Sequence, residues 1–146
     1  FDIAIKQIFY LLKEKLYGKI DKYPFLRLKG RRYMRDDIKL NERAAILSEL
    51  LIEKLQTVSD HEIGLDIYNL GFIYEIDLDE KGHCRIVITL TGIGCDCVES
   101  IPSDIKTALL TIEEIQSVDV QIVWSPAWKM TRISRYGRIA LGVNPN

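Results

Sequence analysis

Thr89-Leu90-Thr91-Gly92-Ile93-Gly94-Cys95-Asp96-Cys97 joins a strand to a helix, and the fold class follows from reading outward on both sides of it. Before it, Cys84, Ile86, Ile88 and Leu90 alternate with Arg85, Val87, Thr89 and Thr91, which predicts a half-buried strand over 83–91. After it, Val98, Ile101, Ile105, Ala108, Leu109 and Ile112 recur every three or four residues, which predicts an amphipathic helix. Gly92 and Gly94 let the backbone turn sharply and leave the thiols of Cys95 and Cys97 uncovered. A thiol just ahead of a helix feels the unpaired amides and the positive dipole end, which favour thiolate over thiol. Such a sulfur suits a metal ligand or a nucleophile.

Further upstream, Phe72, Tyr74, Ile76 and Leu78 alternate with Ile73, Glu75 and Asp77, a second strand. Asp79-Glu80-Lys81-Gly82 turns it back as a hairpin. Leu65–Gly71 reads as one short helical turn closed by glycine, and Asn41 as the N-cap of a helix over 42–57 burying Ala44, Leu47, Leu51 and Leu55. Downstream, Val118, Val120, Ile122 and Trp124 make a third strand, stopped by Ser125-Pro126-Ala127-Trp128. Trp124 and Trp128 are expected in the core and as a lid over it. Ser134 caps a last helix through Leu141, ended by Gly142. This order predicts an α+β fold: a small three-stranded mixed sheet with a right-handed crossover and helices packed on one face.

Residues 1–17 set Ile5, Ile8, Phe9, Leu12 and Leu16 at helical spacing, and Gly18–Tyr33 reads as a connector. The expected organisation is therefore an N-terminal helical extension and basic connector over 1–40 and one domain over 41–146. Met34, preceded by Lys29-Gly30-Arg31-Arg32, is the expected start of the working protein.

The 146 residues are 47% apolar, enough for a core, and no apolar run is long enough to span a bilayer. Three cysteines without framework spacing argue against a disulfide-built secreted fold and point to the cytoplasm. Residues 1–35 carry ten Lys/Arg against three acids, and residues 36–146 carry ten against eighteen. So acidic a domain is a poor binder of nucleic acid, and no specific nucleic-acid partner is expected.

Cys95 and Cys97 form a C-x-C, and thiolates are soft ligands for zinc or iron–sulfur. The obvious further ligands are Asp60, His61 and Glu62, in the other polar loop, at another element end. Each also has a plain structural use: Asp60 as a turn cap, Glu62 and His61 as solvated side chains, Thr89 and Thr91 as strand residues, Cys84 as a small core hydrophobe.

Together these blocks resemble a known family. Asp60-x-Glu62, Gly64-Leu-Asp-Ile-Tyr-Asn-Leu-Gly-Phe-Ile-Tyr74, Thr89-Leu-Thr-Gly-Ile-Gly-Cys95 and Trp124-Ser-Pro-Ala-Trp128 occur in the order seen in the metal–sulfur (iron–sulfur) cluster assembly family of SufT/PaaD-like, MIP-type domains. The resemblance covers 41–142. It implies a cytoplasmic assembly or maturation factor that helps deliver an iron–sulfur cluster or iron, transiently held, to client proteins, with iron–sulfur scaffold or carrier proteins as its other partners. By matching position it implies a site of Asp60, Glu62, Thr89, Thr91 and Cys95, with Cys95 as the reactive residue. His61 stands where the family usually has proline, and Asp96 follows the cysteine where proline is usual. His61 and the added thiol of Cys97 extend the expected metal ligands to Cys95, Cys97, His61 and Glu62. Two other classes stay open: a thiol-dependent redox or transfer enzyme with His61 as base, and a metal-free protein-binding adaptor. A two-fold dimer that completes the site is also open.

Overall fold

The computed structural model describes residues 34–92 and 96–143. The predicted helix over 1–17 and its connector lie outside the described residues. Met34–Asn146 forms one compact unit. Its main sheet has four strands in the order β1-β4-β5-β6. They are β1 (Lys39–Leu40), β4 (Ile73–Leu78), β5 (His83–Ile88) and β6 (Ser117–Ile122). A separate hairpin pairs β2 (Ser59–Asp60) with β3 (Leu65–Asp66). The helices are α1 (Glu42–Ile46), α2 (Ser48–Leu55), α3 (Ile67–Leu70), α4 (Cys97–Leu109) and α5 (Arg135–Ala140).

The sheet is mixed, as the α+β reading expects. β4 and β5 pair antiparallel, with Leu78 opposite Cys84 and Ile76 opposite Ile86, while β1 joins β4 and β6 joins β5 in parallel. The expected count of three strands becomes four, because a strand of two residues has no period to read. Ile76, Leu78, Cys84, Ile86 and Ile88 are buried. On the other face Arg85 lies 2.9 Å from Glu75 and 3.8 Å from Asp77, a solvated ion-pair cluster. The predicted helix over 42–57 is split at Leu47, where the hydroxyl of Ser48 takes the Ala45 carbonyl from the helical ladder. Asn41 caps it as expected, its side chain accepting from the Ala44 amide.

The short helix α3 is where the fold grips the hairpin β2–β3. Asp66 caps its start and Gly71 ends it in the left-handed region at φ 76°. A helix of four residues leaves its last carbonyls without intrahelical partners, so side chains from distant positions help to satisfy them. Arg35 donates to Tyr68 O at 2.9 Å, Trp128 Nε1 to Leu70 O at 2.7 Å, and Arg132 Nε to Gly71 O at 2.8 Å. The buried Asn69 ties α3 to α5: its amide oxygen accepts from the Ser134 hydroxyl at 2.6 Å. Trp128 also meets Phe72 edge-to-face at 5.8 Å, whereas Trp124 is exposed and forms no part of the core.

Gly71 is irreplaceable for two reasons. Its φ excludes most L residues, and a Cβ would lie 2.5 Å from the Arg132 carbonyl oxygen. Gly71→Ala is therefore expected to lose at least about 2 kcal/mol, since the left-handed backbone alone costs about 1–2 kcal/mol. Urea denaturation reads this directly, and an unchanged midpoint would show that the Arg132 loop yields freely.

Candidate metal centre

The site grows from two element ends. The tight hairpin β2–β3 is turned by Gly64 at φ 79°, and Asp60 stands at its entry. The two carboxylate oxygens of Asp60 have different work. Oδ1 accepts from the amides of Glu62 at 2.9 Å and Ile63 at 3.2 Å, so the turn-cap role read from the sequence is real. Oδ2 faces the sulfur of Cys97 at 3.7 Å. Asp60 does this while only 2% exposed.

Cys97 opens α4, and its burial has a simple cause. Positions 97, 101, 105 and 109 share one helix face, so Cys97 heads the buried stripe of Ile101, Ile105 and Leu109. The first turn of α4 supplies unpaired amides and the positive end of the dipole at this sulfur. Cys97 is disulfide-bonded in this structure, so service as a ligand requires its reduction to the thiol.

Asp60, Glu62 and Cys97 each bring a ligand atom within 4.8 Å of the others. Of the residues expected from the sequence, these three are brought together. His61 is exposed and falls outside the group among the described residues. Cys95, the first choice for the reactive thiol, lies outside the described residues. The two threonines part company although positions two apart on a strand would share a face, because both lie beyond the end of β5: Thr91 is exposed, while Thr89 is fully buried and its hydroxyl has no hydrogen-bond partner among the described residues. Buried polar groups are nearly always satisfied, so an orphaned hydroxyl on this loop fits a site that takes a further group. Cys84 is the small core hydrophobe expected of it. It is free and fully buried, and desolvation, then the nearby charge of Asp77, pushes its thiol up to about 11.

Two carboxylates and one thiol make a mixed hard and soft donor set with three members. A closed structural zinc site wants four, so this set suits an ion or cluster that is held loosely and completed from elsewhere.

Residues 49–122 match the family of iron–sulfur cluster assembly proteins. The chain belongs to this family. It is 42% identical over 97 residues to the Fe-S protein maturation auxiliary factor YitW of Bacillus subtilis, covering 66% of this chain and 95% of that protein. It is 47% identical over 87 residues to the Fe-S protein maturation auxiliary factor SufT of Staphylococcus aureus, covering 60% of this chain and 99% of that protein. Among solved structures it is similar to a DUF59 domain from Bacillus anthracis, with a TM-score of 0.61 and 39% identity over 66% of this chain and 92% of that one. Asp60, Glu62, Thr89 and Cys97 all lie inside the stretch that matches the assembly family, whereas the carbonyl-capping Arg35, Trp128 and Arg132 lie outside it. No helix among the described residues is long and apolar enough to cross a membrane.

Proposed function

We propose that this chain is an auxiliary factor for maturation of iron–sulfur proteins, and that Asp60, Glu62 and Cys97 form a labile acceptor site for the iron or cluster it hands on. The observation that carries this reading is the approach of those three ligand atoms to within 4.8 Å of one another. The cargo is a substrate, received from a scaffold or carrier protein and released to a client apoprotein. Holding it too tightly would defeat release, and an incomplete donor set avoids that. Asp60 is fixed through Oδ1 by two backbone amides, which leaves Oδ2 aimed and ready without reorganisation. Cys97, once reduced, presents its sulfur at the start of α4. In this reading Cys95 is the exchangeable sulfur that passes the cargo on, and Thr89 and Thr91 belong to the site as the family resemblance implies. A reducing compartment such as the cytoplasm keeps the cysteines in ligand form.

The test is a Co(II) titration of the full chain, reduced and kept anaerobic, followed by iron and sulfide analysis of the protein purified under the same conditions. One ion per chain is expected, with a thiolate-to-cobalt charge-transfer band that disappears when the protein is oxidised. A reduced chain that binds no metal or cluster yet restores full activity to iron–sulfur client enzymes would overturn the reading in favour of a metal-free adaptor.

A further inference from the structure

The last part of the chain carries a surface that the metal centre does not use. Residues 123–143 contain Lys129, Arg132, Arg135 and Arg138 and no acid, whereas residues 36–122 contain eighteen acids and six Lys/Arg. A cationic pole therefore stands on an otherwise acidic domain. Large apolar side chains are exposed on the same pole: Met130 at 59%, Tyr136 at 66% and Ile139 at 59%. Tyr136 and Ile139 are one turn apart on α5, hence neighbours on its surface. Arg138 joins the helix to the preceding 3₁₀ turn (Met130–Arg132), its guanidinium donating to Ile133 O at 3.3 Å and Met130 O at 3.4 Å.

The opposite side of α5 explains why this surface is held rigidly and where it lies. Gly137 sits so close to the domain that a Cβ would be 2.7 Å from Leu65 Cδ2 and 2.9 Å from Ile133 Cγ2. Leu65 is the cross-strand partner of Asp60. The helix that bears the apolar, cationic surface is thus packed directly on the hairpin that carries the carboxylates of the metal centre.

We infer that Met130, Tyr136, Ile139 and Arg135 form a docking surface for a short acidic, apolar segment of a partner polypeptide. Charge complementarity selects that occupant. At physiological salt, charge acts over about 8 Å, so a short segment on α5 feels chiefly Arg135 and its neighbours, while Arg132 is already paired with Asp37 at 3.5 Å. A membrane or nucleic acid offers anionic charge over a wide area and meets the acidic remainder of the domain as well. Tyrosine and arginine around aliphatic side chains are the composition of binding hot spots. That the segment belongs to an iron–sulfur client or carrier rests on the function proposed above; the surface itself does not.

The test uses the full chain and a fluorescein-labelled sixteen-residue peptide of Glu, Leu and Phe, with a Lys, Leu and Phe peptide as control, read by fluorescence anisotropy. Saturable binding of the acidic peptide that weakens with salt is expected. Truncating a hot-spot side chain costs about tenfold or more, so Tyr136→Ser with Ile139→Ser, and separately Arg135→Glu, should each weaken it at least that much. These residues are exposed, so circular dichroism and Co(II) binding should match the parent. Four results would each overturn the inference: no binding of the acidic peptide, equal binding of the basic one, unchanged affinity in both variants, or a patch-dependent dimer in sedimentation that excludes the peptide. Binding to phosphatidylglycerol vesicles without binding to the peptide would likewise replace it with a membrane surface. Peptide binding without Co(II) binding would leave this surface standing and remove only the proposed metal centre.

Discussion

Asp60→Asn should leave the protein folded and strip it of its metal. Asparagine is nearly isosteric, and its Oδ1 can still accept from the Glu62 and Ile63 amides, so the turn survives. What it lacks is the charge on the oxygen that faces Cys97 at 3.7 Å. Even residues that only orient a ligand are worth about 10- to 100-fold in metal affinity, so loss of a charged ligand should cost at least that. Asp60→Ala should do both kinds of damage. It leaves the Glu62 and Ile63 amides of a partly exposed turn without their acceptor, at about 0.5–1.5 kcal/mol. Thermal melts and Co(II) titrations of the two variants separate the roles. An Asn variant that binds Co(II) as well as the parent would show that Oδ2 ligates nothing.

Phe72→Ala should be the most damaging single change in the core. Phe72 is fully buried just ahead of β4, with Trp128 standing edge-on to its ring at 5.8 Å. Emptying such a position costs about 3–5 kcal/mol, through lost transfer energy and the cavity left behind. At about 4–8 °C per kcal/mol for a domain near this size, Tm should fall by roughly 12–40 °C. The damage should spread, because Trp128 both covers Phe72 and donates to the Leu70 carbonyl. Phe72→Leu, which keeps most of the volume, should lose clearly less. A fall of under about 5 °C for the alanine variant would mean that the core closes over the gap.

Much of the fold was legible because local chemistry wrote it. Asn41, Ser134, Gly71 and Gly82 mark element ends through side-chain caps or positive φ, which short-range sequence reports well. The hairpin of β4 and β5 showed its period of two. What stayed hidden was either too short or too distant. β1 has two residues and exists only by pairing with β4. The donations of Arg35 and Arg132 to the carbonyls around α3 join positions more than thirty residues apart, and no spacing rule announces them.

The candidate site was half legible. That the polar loop near Asp60 could meet the start of α4 was readable, since both lie at element ends, but the sequence alone did not require it. That Cys97 is buried was also within reach, since 97, 101, 105 and 109 fall on one helix face. Reading the cysteine as an uncovered loop ligand hid that stripe. The split of duties between the two oxygens of Asp60 was beyond any sequence pattern, because it depends on which atom the Glu62 and Ile63 amides reach.

The long-range caps on α3 also set how the protein can be trimmed. A recombinant fragment cut to 49–122 would keep every described ligand of the metal centre. It would also discard the guanidinium and indole donors that serve Tyr68, Leu70 and Gly71. The excised piece would hold the binding chemistry on a frame stripped of its fasteners. Expression boundaries that respect this architecture run from before Arg35 to beyond Ser134, whose hydroxyl is the last rivet on Asn69.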